Sequence, residues 1–421
     1  MTIHPAVTTF QQLMLKHVRR SIRQAPVHLE FGQVSPLLSK GTGSEGTGSE
    51  RVVIQDAKTL ASMLIDPEVG FGDAYMEGRI KVEGDLVRAL EVVLDALRRS
   101  PNKSWFDRLT SGWLQYIQAN TLDGSISNIH RHYDLDTAFY KLWLDAKLIY
   151  TCAYFPKSSA TLEEAQWFKM EHICRKLRLK PGERVVDAGC GWGALAMHMA
   201  KFYGTTVQAF NISHEQIQYA QAQARLQGLS DRVEFIERDY RTITGSFDVF
   251  VSIGMLEHVG REHYGSLEET IYRSVGDAGR GLIHFIGRNR PEPFSTWIRK
   301  RIFPGAYVPS LREALGVFEK HDYAVLDVEN LRLHYAKTLE HWLDRFEHSA
   351  DVIVRSLGID FFRAWELYLA SSIASFRIGQ LQLFQVLFAG SECVDIPWTR
   401  DHLYANDSWN LEETRCAPVT F

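Results

Sequence analysis

A glycine-rich segment is the first indication of chemistry in this chain. Residues 185–200 read VVDAGCGWGALAMHMA, with Asp187 followed by Gly189, Gly191 and Gly193 and then by an apolar run. Glycine lets the backbone approach a ligand closely and tolerates positive φ angles. A dinucleotide-binding turn has the spacing G-x-G-x-x-G, with a pyrophosphate at the helix N-terminus. The spacing G-x-G-x-G after an acid instead favours a ligand with an amino-acid moiety, and a turn without any ligand is the alternative.

Strands and helices alternate around this segment. The strand-like runs are ERVVDAG, TTVQAFN, RVEFIERD, FDVFVSIG and GRGLIHFIG, and helical stretches or short turns separate them. One helix starts at Ala194, and another follows Ser213, a typical N-cap residue with Gln216 three positions later. This alternation predicts an α/β fold with a mostly parallel sheet and helices on both faces.

The alternation stops after Gly287. Residues 288–390 are rich in aromatic and helical patterns and predict a helical cap with a large apolar face. Residues 1–125 form a smaller region with a strand candidate at 51–55. We therefore predict an N-terminal accessory domain over 1–125 and a catalytic domain over 126–421, with the helical cap at about 288–390.

The beginning of the chain predicts a basic amphipathic helix. Its apolar residues share one side of a helical wheel, and Lys16, Arg19, Arg20 and Arg23 share the other side. A helix of this kind binds to an anionic lipid surface. The alternative is a helix that packs on its own domain and exposes its cationic face to solvent.

Composition excludes few functions. The formal net charge is −4, with 45% hydrophobic and 23% charged residues, which is ordinary for a globular protein and gives no argument for nucleic-acid binding. The five cysteines form no close pair and no C-x-x-C spacing, so we predict free thiols, a reducing compartment and no metal site. Neither a secretory leader nor a run of about 20 apolar residues occurs, which favours the cytoplasm.

Several ordered motifs together resemble the cyclopropane fatty acid synthase family, which includes the mycolic acid methyltransferases. The glycine segment resembles the first motif of class I S-adenosylmethionine-dependent methyltransferases. The motifs, in chain order, are HYDLDTAFYKLWLD, IYTCAYF, DAGCGWG, NISHEQ, SIGMLEHVG, IHFIG, IFPGAYVPSL and HYAKTLEHWLDRF. FGDAYMEG at 71–78 is similar to the accessory segment of longer bacterial synthases. The resemblance implies a class I, Rossmann-like methyltransferase fold.

The end of the second strand departs from the broad methyltransferase class. An acid that accepts hydrogen bonds from a ribose is expected there, but the sequence has Asn211 in QAFNIS. In the synthase family this strand commonly ends in Thr-x-Ser, so Asn211-Ile212-Ser213 is a small departure from the family as well. Asn211 is nevertheless an indication of which branch of the class this chain resembles.

The resemblance implies transfer of a methylene from S-adenosylmethionine to the cis double bond of a phospholipid acyl chain. The sulfonium methyl is electrophilic, and burial removes water from the methyl and from the alkene. Attack leaves a carbocation on the acyl chain, and a base must remove a proton from the added methyl so that a cyclopropane closes. Because water near the cation would give an alcohol, we expect an apolar pocket.

The family's base is a bound bicarbonate, and its ligands match Cys152, Glu257, His284, Ile286 and Tyr335. His284, if it is protonated, and Tyr335 can donate to the anion, and backbone N–H groups near Cys152 and Ile286 can complete the cradle. We expect Glu257 to accept the O–H of bicarbonate. Judged alone, each of these residues would more often be core, but the joint pattern favours a site.

The cofactor-binding positions are also implied by the resemblance. They are Tyr133, Tyr150, Thr151, Asp187, Gly189, Cys190, Gly191, Trp192, Gly193, Asn211, Ile212, Gln216, Asp239 and Tyr240. Tyr133 is expected to close over the methionine end of S-adenosylmethionine. The similarity around ERDYRTI does not separate Asp239 from Tyr240.

Other functions are compatible with the same motifs. A hydride shift before proton loss would give a methylidene group, and relatives also install a methyl branch; no motif separates these products from a ring. A non-catalytic lipid-binding protein and a methyltransferase of a small metabolite are further alternatives. By resemblance we expect peripheral association with the inner face of a phospholipid membrane, no nucleic-acid partner, and a homodimer.

Overall fold

The computed structural model describes residues 28–31, 50–99 and 135–404. The predicted basic helix near the start of the chain and Tyr133 lie outside these residues. The chain divides into two compact units. Unit 1 comprises Met1–Gln118, Glu292–Pro304 and Leu339–Leu381, and unit 2 comprises Ala119–Pro291, Gly305–Thr338 and Gln382–Phe421.

The elements are numbered in chain order. The strands are β1 (His28–Phe31), β2 (Arg51–Ile54), β3 (Ile80–Glu83), β4 (Arg184–Ala188), β5 (Thr206–Asn211), β6 (Val233–Glu237), β7 (Val249–Ile253), β8 (Arg280–Gly287), β9 (Ala324–Asn330) and β10 (Gln382–Ala389). The helices are α1 (Ala57–Ile65), α2 (Pro67–Met76), α3 (Leu86–Arg99), α4 (Thr137–Lys141), α5 (Leu162–Leu177), α6 (Ala194–Tyr203), α7 (His214–Leu226), α8 (Leu256–Val259), α9 (Tyr264–Val275), α10 (Thr296–Arg301), α11 (Leu311–Leu315), α12 (Arg332–His348), α13 (Ala350–Leu357), α14 (Ile359–Arg377) and α15 (Asp401–Tyr404). Within the described part of the chain, no helix combines the length and apolar character needed to cross a bilayer.

Unit 1 contains a small sheet in the order β1-β2-β3, in which β1 and β2 are parallel and β2 and β3 are antiparallel. The strand predicted at 51–55 is confirmed as β2. Helices α2 and α3 pack against α14, which comes from far along the sequence. Unit 1 thus includes 292–304 and 339–381 from the region predicted as the cap. The division at residue 125 stays a prediction, because that position is not described.

Unit 2 contains a sheet in the order β6-β5-β4-β7-β8-β10-β9. Strands β4 to β8 are parallel to one another, and helices cover both faces, which confirms the predicted α/β architecture. Adjacent residues of β4 face opposite sides of the sheet: Val185 belongs to one buried apolar cluster and Val186 to the other. The strand order reverses beside β4, where open α/β sheets form their ligand sites.

The region predicted as a helical cap contains two strands of this sheet. β9 and β10 are antiparallel to each other, and β10 is antiparallel to β8. The prediction of helix throughout 288–390 is therefore wrong at these segments. Every residue of β10 is buried, and a strand buried on both faces shows no alternation, so its period does not distinguish it from a buried helix.

Gly193 joins the glycine segment to α6 in a backbone conformation that favours glycine. Its φ is 83°, and it is the N-cap of α6. A Cβ at this position would lie 2.5 Å from Cζ of Phe235 and 2.9 Å from Cβ of Ala220. Glycine is therefore required here both for the left-handed backbone and for the close approach of β6 and α7.

We expect Gly193→Ala to lower the free energy of unfolding by about 2–4 kcal/mol, because steric overlap adds to the strain of a positive φ. Gly182→Ala is the matched control: Gly182 has a φ of 87°, but a Cβ there would meet nothing within 4 Å. Urea denaturation followed by circular dichroism measures both losses. Equal losses in the two variants would contradict the packing argument.

Candidate active site

The candidate site lies at the carboxyl edge of the parallel strands of unit 2. The segments after Ala188, Asn211 and Ile253 leave the sheet at this edge because β4, β5 and β7 run in the same direction. The described cofactor and catalytic positions follow the parallel strands, lie on β8, α8 or α12, or lie in the segment between α4 and α5 of the same unit. The fold therefore brings together segments that are distant in sequence.

The glycine segment forms a tight turn with an open backbone surface. The N–H groups of Gly189 and Cys190 donate to the carbonyl of Phe210 at 2.9 and 3.0 Å, so the turn is anchored to β5. Gly191 has a φ of 55°, and a Cβ there would meet nothing within 4 Å. The N-terminus of α6 follows and leaves its first N–H groups without partners inside the helix. This turn has the space and the donors that a nucleoside with an amino-acid moiety needs.

Asn211 holds the glycine turn in a way that an acid would not. Its Nδ2 donates to the carbonyl of Gly191 at 3.3 Å and to Oε1 of Gln216 at 2.7 Å. Its Oδ1 accepts from the N–H groups of Ile212 and Ser213 at 2.8 and 3.3 Å. A carboxylate accepts hydrogen bonds but does not donate them. The amide is therefore the side chain that ties β5 to the turn and to the start of α7.

Tyr150 and Trp192 belong to one aromatic cluster built on α4. The ring centroid of Tyr140 lies 4.9 Å from that of Trp192 and 5.6 Å from that of Tyr150, and Trp143 lies 5.2 Å from Tyr150. Trp192 also donates through Nε1 to Oγ1 of Thr137 at 3.2 Å. Two predicted cofactor-binding side chains are thus positioned by the same short helix.

Asp239 and Tyr240, which the sequence analysis did not distinguish, have different surroundings. Asp239 accepts two hydrogen bonds from the guanidinium of Arg241, at 2.8 and 2.9 Å, and still has acceptor capacity. Tyr240 lies in an apolar cluster, and its hydroxyl has no hydrogen-bond partner among the described residues. Asp239 thus offers acceptor oxygens to a polar ligand and Tyr240 offers a hydroxyl, and both stay predicted cofactor positions.

Two side chains of α5 that the sequence analysis missed hold the segment before Cys152. Gln166 donates to the carbonyls of Ile149 and Thr151 at 3.3 and 2.9 Å. Lys169 donates through Nζ to Oγ1 of Thr151 at 2.9 Å. Both side chains are buried. Their signal in the sequence is that they are polar residues three positions apart on the apolar stripe of an amphipathic helix.

Lys169 also acts electrostatically on the residues below the glycine turn. Burial lowers the pKa of its ammonium to about 8, and Asp145, Cys152 and Asp187 oppose this shift. Burial raises the pKa of Asp187 to about 7, and Lys169 opposes that shift. Oδ2 of Asp187 lacks a hydrogen-bond partner in the described part of the chain. A buried carboxyl oxygen thus remains available next to the turn, which suits a cationic group of a ligand.

Glu257 on α8 is held against β8 by a backbone hydrogen bond. Its Oε1 accepts from the N–H of Ile286 at 2.5 Å, and its carbonyl accepts from the N–H of Tyr307 at 2.8 Å. Burial raises the pKa of Glu257 to about 7. Its Oε2 has no partner among the residues described. The N–H of Ile286 therefore donates to Glu257 and positions its carboxyl group, and a cradle of backbone N–H groups near Cys152 and Ile286 stays a prediction.

His284 lies on β8 with 1% of its side chain exposed, and its Nδ1 is 3.1 Å from Nε2 of Gln385. Burial lowers the pKa of His284 well below its ordinary value, and the cations Lys169 and Lys176 act in the same direction. The shift favours a neutral ring with one N–H group over the protonated form that the sequence analysis considered. Its Nε2 makes no hydrogen bond to any described residue.

Cys152 and Tyr335 are connected through α12. The N–H of Ala153 donates to Oγ1 of Thr338 at 3.0 Å, one turn along the helix from the buried Tyr335. Cys152 is fully buried, and its Sγ donates to the carbonyl of Ala153 at 3.1 Å. Burial raises the pKa of the Cys152 thiol, so the residue is a neutral thiol rather than a nucleophile.

Comparison with known proteins identifies the family to which this chain is similar. The family model described as mycolic acid cyclopropane synthetase matches residues 121–386. The chain is 32% identical over 380 residues to a probable fatty acid methyltransferase of Pseudomonas putida, covering 85% of this chain and 93% of that protein. It is 32% identical over 355 residues to the cyclopropane-fatty-acyl-phospholipid synthase of Escherichia coli K12, covering 84% and 91%. The crystal structure of mycolic acid cyclopropane synthase CmaA1 complexed with SAH and CTAB superposes with a TM-score of 0.58 at 29% identity, covering 62% of this chain and 97% of that one.

We expect Glu257→Gln to stabilise the protein above neutral pH. Burial raises the pKa of Glu257 from 4.5 to about 7, so the folded state binds this proton more tightly than the unfolded chain does, and stability is lost as pH rises between these values. Glutamine stays neutral, and its oxygen still accepts from Ile286. The gain in free energy of unfolding should be small at pH ~4.5 and on the order of 3 kcal/mol at pH ~8.

Urea denaturation in degassed buffer at both pH values measures this gain. Glu319→Gln, which removes a carboxylate from an exposed position, is the control for the loss of a negative charge. If the gain from Glu257→Gln were the same at both pH values, burial of Glu257 would not be its cause.

Proposed function

The chain belongs to the mycolic acid cyclopropane synthetase family and is an S-adenosylmethionine-dependent methyltransferase, and we propose that it transfers a methylene to the cis double bond of unsaturated phospholipid acyl chains, giving cyclopropane fatty acids. The observation that carries the proposal is a pair of buried polar atoms, Oε2 of Glu257 and Nε2 of His284. Neither atom has a hydrogen-bond partner in the described residues. Buried polar atoms in a native fold normally have partners, and a bound anion would supply one to both of these atoms.

The fit to S-adenosylmethionine rests on the turn between β4 and α6. Open space at Gly191, the donors at the start of α6 and the free Oδ2 of Asp187 suit the methionine end of the cofactor. Tyr150 and Trp192 offer aromatic surface, and Asp239 offers acceptor oxygens. When bound, S-adenosylmethionine supplies an electrophilic methyl. We propose that these residues hold and orient it, together with Thr151, Cys190, Asn211, Ile212 and Gln216.

The fit to bicarbonate rests on Glu257 and His284. A neutral imidazole N–H donates to an oxyanion, and a carboxyl group with a pKa near 7 accepts from or donates to the remaining oxygens. Bicarbonate, when bound, supplies a base beside the reacting carbon. We propose that Cys152, Ile286 and Tyr335 complete the site, with Ile286 acting through Glu257.

Burial is the contribution that the chain makes to the course of the reaction. Glu257, His284 and Cys152 are each less than 7% exposed, so the site excludes water from a cationic acyl chain. The neutral thiol of Cys152 adds no competing nucleophile. These properties favour loss of a proton from the added methyl over capture of the cation by water.

The alternative product keeps an alkene. The relatives differ in this respect, since one is named a fatty acid methyltransferase and the other a cyclopropane synthase. A hydride shift before proton loss would give a methylidene group from the same cation. No described residue separates the two outcomes, so the product itself is the test.

We expect the purified protein to convert dioleoyl phospholipid vesicles and S-adenosylmethionine with a deuterated methyl into a cyclopropane acyl chain that retains two deuterium atoms on the added carbon. Gas chromatography with mass spectrometry measures the label, and NMR of the methyl esters distinguishes a ring from a methylidene carbon. Loss of a base or of its contacts typically lowers turnover ~10²–10⁴-fold, and we expect this for Glu257→Gln and for His284→Ala.

Glu319→Gln, at an exposed position, is the matched control and should keep wild-type turnover. A product that retains an alkene would contradict ring formation and support the pathway to a methylidene or methyl-branched chain. Unchanged turnover in both site variants would overturn the proposed catalytic group.

We also propose that the protein associates peripherally with the inner face of the membrane and acts there as a homodimer. Its substrate would be part of a bilayer, and the sequence around Lys16, Arg19, Arg20 and Arg23 predicts a cationic helix face of the kind that binds anionic headgroups. That segment lies outside the described residues, and the support for this proposal therefore comes from its sequence alone.

We expect binding to vesicles that contain anionic phospholipid, and we expect salt to weaken it because a cationic face acts through screened charge. The triple change Arg19/Arg20/Arg23→Glu should weaken binding at least tenfold, measured by co-sedimentation. Arg19/Arg20/Arg23→Lys is the charge-conserving control. Binding that ignores both salt and charge reversal would exclude this segment as the anchor.

A further inference from the structure

A row of polar side chains crosses the buried sheet of unit 2 from the candidate site. His284 of β8, Gln385 of β10 and Glu329 of β9 are direct cross-strand neighbours in the register of the sheet. His284 and Gln385 are 1% and 0% exposed. Burying a polar side chain costs free energy unless it has a hydrogen-bond partner. The partners of these three side chains therefore indicate their role.

Glu329 is bound away from Gln385. Its Oε2 lies 2.8 Å from Nε2 of His172 and 2.6 Å from Nζ of Lys176, and both of these side chains belong to α5. These partners lower the pKa of Glu329 to about 2, despite the opposing effect of burial. Its negative charge is therefore compensated by α5.

The side chain of Gln385 contacts His284 rather than Glu329. Its Nε2 lies 3.1 Å from Nδ1 of His284, while its Oε1 has no hydrogen-bond partner among the described residues. In this orientation of the amide its nitrogen faces the ring as a donor, and Nδ1 of His284 is then the acceptor. A neutral imidazole has one proton, which then lies on Nε2. Among the described residues, Nε2 has no hydrogen-bond partner.

We propose that Gln385 is a positioning residue that holds His284 as the neutral tautomer with its proton on Nε2, so that His284 donates a hydrogen bond to a bound oxyanion without carrying a charge. The inference rests on the proposed function, in which His284 faces bicarbonate. It explains why a buried histidine beside the cations Lys169 and Lys176 still offers a donor.

A glutamine does what an acid at the same place would not. A carboxylate at position 385 would accept the proton of Nδ1 and leave a bare Nε2 on the neutral ring. It would also favour the imidazolium, as the aspartate of a Ser-His-Asp triad does. The other groups around the ring are the cations Lys169 and Lys176, the compensated Glu329 and the neighbouring Ile253 of β7, and helix α8, which carries Glu257, packs against β8.

The tautomer is measurable without turnover. We expect ¹⁵N NMR of the full-length protein with ¹⁵N-labelled histidine to show His284 with a protonated Nε2 and a bare Nδ1, unchanged from pH ~6 to ~9 because the ring stays neutral. The signal is assigned by its loss in His284→Asn. A proton on Nδ1 in the wild-type protein would overturn the proposal.

Variants of the donor give the second test. In Gln385→Glu the proton should move to Nδ1, and in Gln385→Met the ring should lose its single tautomer. Gln382→Met is the matched control: Gln382 is a buried glutamine on the same strand that accepts from Asn330 at 2.9 Å, and its loss should leave the tautomer of His284 unchanged. An unchanged tautomer in Gln385→Glu would contradict the proposal.

The third test measures the binding of sodium bicarbonate by isothermal titration calorimetry. We expect Gln385→Met to weaken binding about tenfold, as for the loss of one buried hydrogen bond, and Gln382→Met to leave it unchanged. Gln385→Glu should bind bicarbonate and turn over only at low pH, where the imidazolium regains a proton on Nε2, whereas the wild type should lack this pH dependence.

The two levels of the argument fail separately. If the wild type has the expected tautomer but does not bind bicarbonate, the proposed base is wrong and the role of Gln385 in setting the tautomer is supported. If the wild type binds bicarbonate and Gln385→Met binds it equally well, the proposed base is supported and the role of Gln385 is overturned.

Discussion

Exclusion of water from the carboxyl edge of β4, β7 and β8 is the constraint on which the site depends. It raises the pKa of both Asp187 and Glu257 to about 7, lowers that of Lys169 to about 8, and keeps His284 neutral. The pKa values of Asp187, Glu257 and Lys169 therefore lie near pH 7, and these side chains form no tight ion pairs with one another among the described residues. Groups in this state bind a small anion and tolerate a nearby cation without the water that full charges would retain.

The same burial requires that the backbone around the site be held by side chains. Gln166 and Lys169 of α5 bind the segment that ends at Thr151, and Thr338 of α12 binds Ala153. Asn211 ties the glycine turn to β5 and α7. Each of these contacts replaces water on a buried backbone or side-chain group, so positioning of the site and satisfaction of buried polar atoms are the same physical requirement.

The parts of this protein that could be predicted from its sequence have local causes. The glycine turn follows from residues 189–193, the start of α7 follows from Ser213, whose Oγ accepts from the N–H of Gln216, and the alternation of β4 to β8 with helices predicts the parallel sheet. The candidate catalytic residues were predicted by resemblance and stay a prediction, but the structure shows what two of them contact. It commits the N–H of Ile286 to Glu257 and makes His284 neutral, because packing partners decide both.

The prediction of a helical cap shows the limit of local reasoning. LQLFQVLF reads equally well as a buried helix or as a buried strand, and only the pairing of β10 with β8 and β9 decides between them. The same pairing brings Gln385 next to His284, about a hundred residues away along the chain. Likewise, residues 339–381 belong to unit 1 although they follow most of unit 2 in sequence.

The glycine turn, the α/β class and the residue types available for a site follow from the sequence, since spacing and composition act within short segments. The folded structure alone shows which of those side chains have shifted pKa values, which nitrogen of His284 lacks a partner among the described residues, and which backbone groups are already hydrogen-bonded. These properties depend on burial and on partners from distant strands, and both exist only after the chain has folded.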